Sequence, residues 1–198
     1  MNYQDAHGRL PPAVVESKDG KPLLSWRVLI LPYLDEDKLY KQFKLDEAWD
    51  GPHNKSLLSA MPKVFAAPHV DGMTWQPGTT FYQVLAGPGT AFDGPKGMRL
   101  PDDFPDGTAN TLLAVEAEDA VPWTEPADLL YDKKKPFPRL GGILNSEGRF
   151  SLFGSNRQIG FHVVLADGSV RWVNPGLSES SLHALATRNG GDQPGSDC

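Results

Sequence analysis

Hydrophobic and polar positions divide the chain into a helical first part and a β-rich second part. Ser25 can cap a short helix over Trp26–Leu31, which Pro32 would end or kink because proline lacks a backbone donor. Asp35 can cap a second helix, which the apolar spacing extends to about Phe43. The pattern therefore predicts two short helices early in the chain.

The regions on either side of these helices carry several prolines. Residues 1–23 are polar and contain Leu10-Pro11-Pro12, which predicts an extended segment because a residue before proline avoids the helical region. Pro52 suits the first position of a third helix, and Pro62 would end it.

The middle of the chain has the composition of strands and loops. Thr79–Leu85 and Thr111–Ala117 are rich in β-branched, aromatic and aliphatic residues, and each predicts a strand. Residues 87–109 between them carry Pro, Gly and Asp throughout and predict a long loop, a type of segment that is often functional. Residues 118–160 are again rich in loop residues.

Phe161–Val173 has the clearest local pattern. Asp167-Gly168 separates two apolar runs, as in a hairpin whose two turn residues both need positive φ. A two-residue turn pairs Val163 with Trp172 on the face directed to the core. We therefore predict that Trp172 is buried and that Arg171 is exposed.

The C-terminal part predicts one more helix. Ser178 can cap it, and Asn189-Gly190 can close it with left-handed residues. Helices, strands and a final helix follow one another, which predicts an α+β fold with an antiparallel sheet. We expect one domain over residues 1–198, ending in a flexible tail over 191–198.

Composition and charge narrow the possible functions. The 198 residues include 20 Gly and 18 Pro, too many for a helical bundle, and the net charge of −6 disfavours nucleic-acid binding. Cys198 is the only cysteine, so the chain cannot form an internal disulfide. No apolar run approaches the roughly 18 residues that span a bilayer.

Catalytic motifs are absent from the sequence. The chain has no Gly-x-Ser-x-Gly element, no phosphate-binding loop ending in Lys-Ser/Thr and no histidine pair four residues apart. Glu116 lies among apolar residues and is a candidate catalytic acid, since burial would raise its pKa. We favour the interpretation that Glu116 pairs with backbone amides or a loop arginine, and we predict that the protein is not an enzyme.

The acidic loop raises the possibility of a metal site. Asp102, Asp103 and Asp106 offer the oxygen ligands that Ca²⁺ prefers, although the EF-hand spacing is absent. The alternative is a set of turns in which each aspartate bonds to its own backbone. No other cofactor is indicated.

Seven segments, in order along nearly the whole chain, form a recognisable set: Asn2–Pro12, Ser25–Leu34, Leu39-Tyr40, Trp49–Asn54, Asp106–Ala117, Val121–Thr124 and Asp167–Arg171. Together they resemble the planctomycete family of unknown function DUF1559. The chain departs from the family pattern at Arg157, where a histidine is usual, and at Ala67, where a cysteine is frequent.

The resemblance implies the globular head of a pseudopilin-like envelope protein. Such a head is extracytoplasmic, assembles with other pilin-like subunits and contacts the membrane only through an N-terminal hydrophobic helix, which is missing from this sequence. The alternative is an extracytoplasmic domain that binds a glycan, a peptide or Ca²⁺. Trp49, Trp75 and Trp123 are candidates for stacking on sugars, although covering the sheet is the simpler role for them.

Overall fold

The computed structural model describes residues 2–69, 74–145, 160–174, 176–192 and 194–195. Its helices and strands are α1 (Asn2–His7), β1 (Val14–Glu16), β2 (Pro22–Ser25), α2 (Trp26–Leu29), α3 (Asp37–Tyr40), β3 (Thr79–Gln83), β4 (Leu85–Ala86), β5 (Leu112–Pro122), β6 (Leu129–Leu130), α4 (Gly142–Asn145), β7 (Phe161–Leu165), β8 (Val170–Val173) and α5 (Glu179–Ala186). Short 3₁₀ helices lie at Leu31–Leu34, Asn54–Ala60, Lys63–Phe65 and Thr108–Asn110.

A four-stranded antiparallel sheet is the centre of the fold. Its strands follow the order β3-β5-β7-β8, so the long strand β5 pairs with β3 on one side and with β7 on the other. Strands β1 and β2 form a separate antiparallel pair, and β4 lies parallel to β6. The predicted α+β class, the antiparallel sheet and the short C-terminal helix are confirmed.

One face of this sheet packs against α5. Val115, Val163 and Leu165 point to this face and are buried with Leu185 and Ala186 of the helix. Side chains of a strand alternate between faces, so the residues between these ones point to the opposite side. This alternation decides which residues of β5 and β7 remain accessible.

A buried ion pair connects α2 to the sheet. Arg27 Nη2 lies 2.9 Å from Asp128 Oδ1, and both Nε and Nη2 of Arg27 donate to the carbonyl of Tyr82. Burial lowers the pKa of Arg27 and raises the pKa of Asp128, while the opposite charge of each partner opposes the shift. The pair fixes the loop before β6 against α2.

The start of the chain differs from the prediction of an extended segment over 1–23. Asn2–His7 is helical, and Val14–Glu16 pairs with β2. The side chain of Gln4 accepts from Leu100 N at 3.0 Å and donates to Leu100 O at 2.6 Å. This contact lies 96 residues away in sequence, so no local pattern could predict it.

The other early helices are shorter than predicted. Ser25 caps α2 as expected, since its Oγ accepts from Arg27 N at 3.3 Å. Asp35 does not cap the next helix, because it adopts the left-handed conformation (φ 61°) and α3 covers only Asp37–Tyr40. The third helix forms as a 3₁₀ helix over Asn54–Ala60.

The hairpin over Phe161–Val173 is confirmed, but its turn is one residue longer than predicted. Gly168 N donates to Leu165 O at 2.8 Å, and Leu165 N donates to Ser169 O at 2.9 Å. Within this turn only Gly168 has a positive φ, of 87°. The loop therefore has three residues, with glycine in its left-handed position.

The longer turn shifts the pairing of β7 with β8 by one residue. His162 faces Trp172 and Val163 faces Arg171. A shift of one residue moves every side chain of a strand to the other face. Trp172 is 50% exposed, so the prediction of its burial is wrong, whereas Arg171 is exposed as predicted.

The C-terminal helix starts where predicted and ends differently. Ser178 Oγ accepts from Ser181 N at 3.2 Å and caps α5. The left-handed residue after the helix is Gly191 (φ 70°), and Asn189-Gly190 does not adopt that conformation. The helix ends at Ala186, Thr187 is extended, and Arg188 N then donates to Gly89 O in the loop that precedes β5, at 2.8 Å.

Candidate functional site

The three aspartates proposed as calcium ligands do not converge. Asp103 Oδ1 accepts from Arg99 Nη2 at 2.8 Å, and this bond holds the pKa of Asp103 at about 2. Asp102 lies 3.9 Å from the same guanidinium, and the Asp106 carboxylate accepts from Gly191 N. In the described ranges no three acidic, histidine or cysteine side chains form a group that could hold a metal. Calcium binding stays a prediction.

The long loop over residues 87–109 is held by an arginine that the sequence did not single out. Arg188 donates to Thr90 O at 3.2 Å, to Asp103 O at 3.0 Å and to Asp93 Oδ2 at 3.3 Å. Its own backbone N–H also bonds to Gly89 O. The segment after α5 therefore fixes the loop.

Four side chains form a row across the sheet face that points away from α5. Tyr82 of β3 pairs with Glu116 of β5, and His162 of β7 pairs with Trp172 of β8. Glu116 connects the two halves, because Oε2 accepts from His162 N at 3.2 Å and Oε1 lies 3.3 Å from His162 Nδ1. We call Tyr82, Glu116, His162 and Trp172 the polar row.

The polar row combines a buried carboxylate with an exposed imidazole. The Glu116 side chain is 6% exposed and that of His162 is 52% exposed. The rings of His162 and Trp172 meet edge to face, 4.8 Å apart. Burial, and then the charge of Glu116, raise the pKa of Tyr82.

The tautomer of His162 follows from its partner. A proton on Nδ1 can be donated to Glu116, which leaves Nε2 as a hydrogen-bond acceptor. Nε2 has no partner in the part of the chain that the structure describes. The row therefore offers an imidazole acceptor beside an exposed indole ring, an arrangement suited to binding a ligand that carries hydroxyl or amide donors.

Glu116 accepts from the backbone N–H of His162, which agrees with the interpretation that this carboxylate pairs with backbone amides. The histidine was not predicted as its partner, because the pairing depends on which residues of β5 and β7 lie opposite each other. The alternation of polar and apolar residues in β7 indicated the sheet face on which His162 lies, and it was the sequence signal available for this contact. A His–carboxylate pair also occurs in hydrolases, but catalysis further needs a nucleophile or a bound water beside the imidazole.

An apolar cavity of about 290 Å³ lies beside the polar row. Ala114 and Val164, which pair with each other, line its floor, and both are two residues from members of the row. Tyr3 and Gln4 of α1 line its other side. The cavity therefore separates the first turn of α1 from the sheet.

The tryptophans considered for sugar stacking have other roles. Trp123 is fully buried and donates to Leu58 O at 2.9 Å, and Trp49 is partly buried against the same core. Trp75 packs edge to face on Phe81 with ring centroids 5.0 Å apart. These contacts favour the interpretation that the three tryptophans cover the core.

Comparison with known proteins identifies a family. The model of the family described as "Protein of unknown function (DUF1559)" matches residues 1–136, more than half of the chain. No curated protein and no solved structure matches. None of the helices in the described ranges is long and apolar enough to cross a bilayer. Arg157 lies outside both the matched segment and the described residues. The chain belongs to the DUF1559 family.

Proposed function

We propose that the protein is a non-enzymatic, pseudopilin-like subunit of an assembly on the extracytoplasmic side of the cell envelope. Its architecture supports this role, because a helix at the start of the chain lies beside one face of a four-stranded antiparallel sheet while α5 covers the other face. The sequence resemblance to pilin-like proteins points the same way. Fold analogy alone does not establish function. The proposal therefore rests on the contacts that attach α1 to the rest of the domain.

The attachment of α1 is the observation that carries the proposal. None of the residues of α1 is buried, and six residues are too few for an independently stable helix in water. The helix is held by the Gln4 contacts to Leu100 and by Tyr33, whose ring meets that of Tyr3 edge to face at 5.5 Å and whose hydroxyl lies 2.9 Å from His7 Nε2. Tyr3 and Gln4 are half-buried towards the domain while Asn2, Asp5 and Ala6 are exposed, so the helix is fixed in direction and presents its other side to contacts between subunits.

Cysteine cross-linking tests the proposal. Asp5→Cys places a thiol on the exposed surface of α1, and Cys198→Ser removes the native thiol. Leu130→Cys in the same background is the matched control, because Leu130 is 84% exposed and lies on β6. In cells that make the protein, oxidation should link subunits through Asp5→Cys and leave the control monomeric. Monomers for both variants, or equal cross-linking of both, would rule out an assembly in which α1 of one subunit meets α1 of another.

The polar row supports a second candidate, an extracytoplasmic domain that binds a glycan. Exposed Trp172 can stack on a sugar ring while His162 accepts from a hydroxyl. Chitin and cellulose oligosaccharides are suitable probes, with intrinsic fluorescence as the signal. Binding that Trp172→Ala abolishes would favour this candidate, and no response to either oligosaccharide would count against it.

A further inference from the structure

Strand β8 forms one edge of the four-stranded sheet. In an antiparallel pair, alternate residues bond to the neighbouring strand. The bond from Leu165 N to Ser169 O shows that the backbone of Ser169 bonds towards β7, and Arg171, two residues further on, therefore does the same. Val170 and Trp172 direct their backbone N–H and C=O groups outward. These outward groups have no partner in the described residues. The strand can therefore accept another strand.

The side chains of this edge are unusually apolar for an exposed strand. Val170 is 63% exposed and Trp172 is 50% exposed, and they are two of the five large hydrophobic residues exposed in the described ranges. Proteins usually protect a free edge with charges or proline to prevent unwanted pairing. Both residues point to the same face, so a partner strand would meet a continuous apolar strip there.

The opposite face of the edge has a groove and a positive charge. A cavity of about 260 Å³ lies beside β8, and its wall includes Val173, Leu177 and Leu185. Arg171 lies at this cavity and is exposed. It forms no ion pair with any described residue, although its charge, after the hydrogen bonds from Ser169, also lowers the pKa of Asp167. An acidic side chain of a partner would complement the guanidinium.

We propose that β8 binds an extended peptide as an additional antiparallel strand, a recognised mode of peptide binding. Partner residues opposite Val170 and Trp172 should be apolar, the one opposite Arg171 acidic, and the one opposite Val173 apolar so that it enters the groove. Read from the N-terminus of the partner, the recognised pattern is apolar–apolar–acidic–apolar. The inference does not depend on the pilin-like role.

The test uses a synthetic peptide, acetyl-Thr-Leu-Val-Glu-Val-Thr-amide, titrated into the whole protein. Saturable binding should shift the backbone amide signals of Val170 and Trp172 in NMR spectra. Methylation of the two valine nitrogens of the peptide should abolish binding, because those N–H groups would bond to β8. A peptide of the same composition in scrambled order controls for non-specific contact.

Charge reversal tests the role of Arg171. Arg171→Glu should weaken binding by about tenfold or more, since like charges would then face each other. A peptide with lysine in place of glutamate should regain affinity for that variant. Arg9→Glu makes the same charge change at another exposed position and should leave binding unchanged.

Three results would overturn the proposal. The first is no binding of the peptide, and the second is equal binding of the methylated peptide. The third is a dimer in the free protein that protects the backbone amides of Val170 and Trp172 from hydrogen exchange, since a second copy would then occupy the edge. None of these measurements uses α1, so failure here is separate from failure of the cross-linking test.

Discussion

At the scale of single residues, two tryptophans have opposite roles. Trp123 is fully buried, stacks on Phe65 at 5.9 Å and meets Phe43 edge to face. Trp172 lies half exposed on the sheet face, in contact with His162. Both are large aromatic residues, one after Pro122 and one after Arg171, so side-chain chemistry alone does not separate a core residue from a surface residue.

Replacing each tryptophan by alanine should reveal this difference. Trp123→Ala removes a buried ring and leaves a cavity, and should lower the free energy of unfolding by about 3–5 kcal/mol. Trp172→Ala should lower it by less than about 1 kcal/mol, because half of the ring already contacts water. Urea denaturation followed by circular dichroism measures both values. Equal losses would mean that Trp172 is part of the core.

At the scale of elements, the turn between β7 and β8 sets the chemistry of one sheet face. One additional residue in the turn places His162, rather than Val163, opposite Trp172. The same shift brings Trp172 to the face on which Glu116 and His162 meet. The polar row therefore exists because Gly168 can adopt a positive φ and close a three-residue loop.

Gly168→Ala should destabilise the hairpin. Alanine in the left-handed region costs about 1–2 kcal/mol, and the loss should appear as a lower midpoint of thermal unfolding. Gly176→Ala is the control, because Gly176 has no positive φ and an added Cβ meets only Asn174 Oδ1, at 3.4 Å. If the control lost as much stability as Gly168→Ala, the left-handed turn would not be the cause.

At the scale of the whole molecule, the two ends of the described chain are tied to the long loop before β5. Gln4 of α1 bonds to Leu100 in this loop, and Arg188 after α5 bonds to Thr90, Asp93 and Asp103. A loop with many exposed polar residues gains order from such contacts. Phe92 and Phe104 of the loop are buried in a hydrophobic cluster, and these hydrogen bonds to distant residues fix the polar part of the loop around them.

Removing the Arg188 side chain should loosen this loop. Arg188→Ala deletes three donors whose acceptors are partly buried, and should cost about 2 kcal/mol of stability. Hydrogen exchange should accelerate for the amides of residues 89–104 and stay unchanged in β5 and β7. Arg139→Ala is the control, because its ion pair with Glu118 is exposed and is expected to contribute less than about 1 kcal/mol. Uniform acceleration across the sheet would contradict a local role for Arg188.

Local sequence determined the strands of the four-stranded sheet, the helix caps at Ser25 and Ser178, and the position of the β7–β8 hairpin, although β5 continues to Pro122 where the sequence predicted a loop. These features depend on residues close in sequence: β-branched runs, a hydroxyl before a helix and glycine in a turn. The α+β class followed from their order along the chain. The resemblance to DUF1559 also came from the sequence, and the match over residues 1–136 supports it.

Only the tertiary structure decided the helix at the start of the chain, the polar row and the role of Arg188. Gln4 and Leu100 are 96 residues apart, Glu116 and His162 are 46 apart, and no local pattern indicates which distant residues will meet. The face on which Trp172 lies depended on one residue of turn length, because side chains alternate with a period of two. The partners available in three dimensions likewise determined that Asp103 and Asp106 bond within the chain instead of converging.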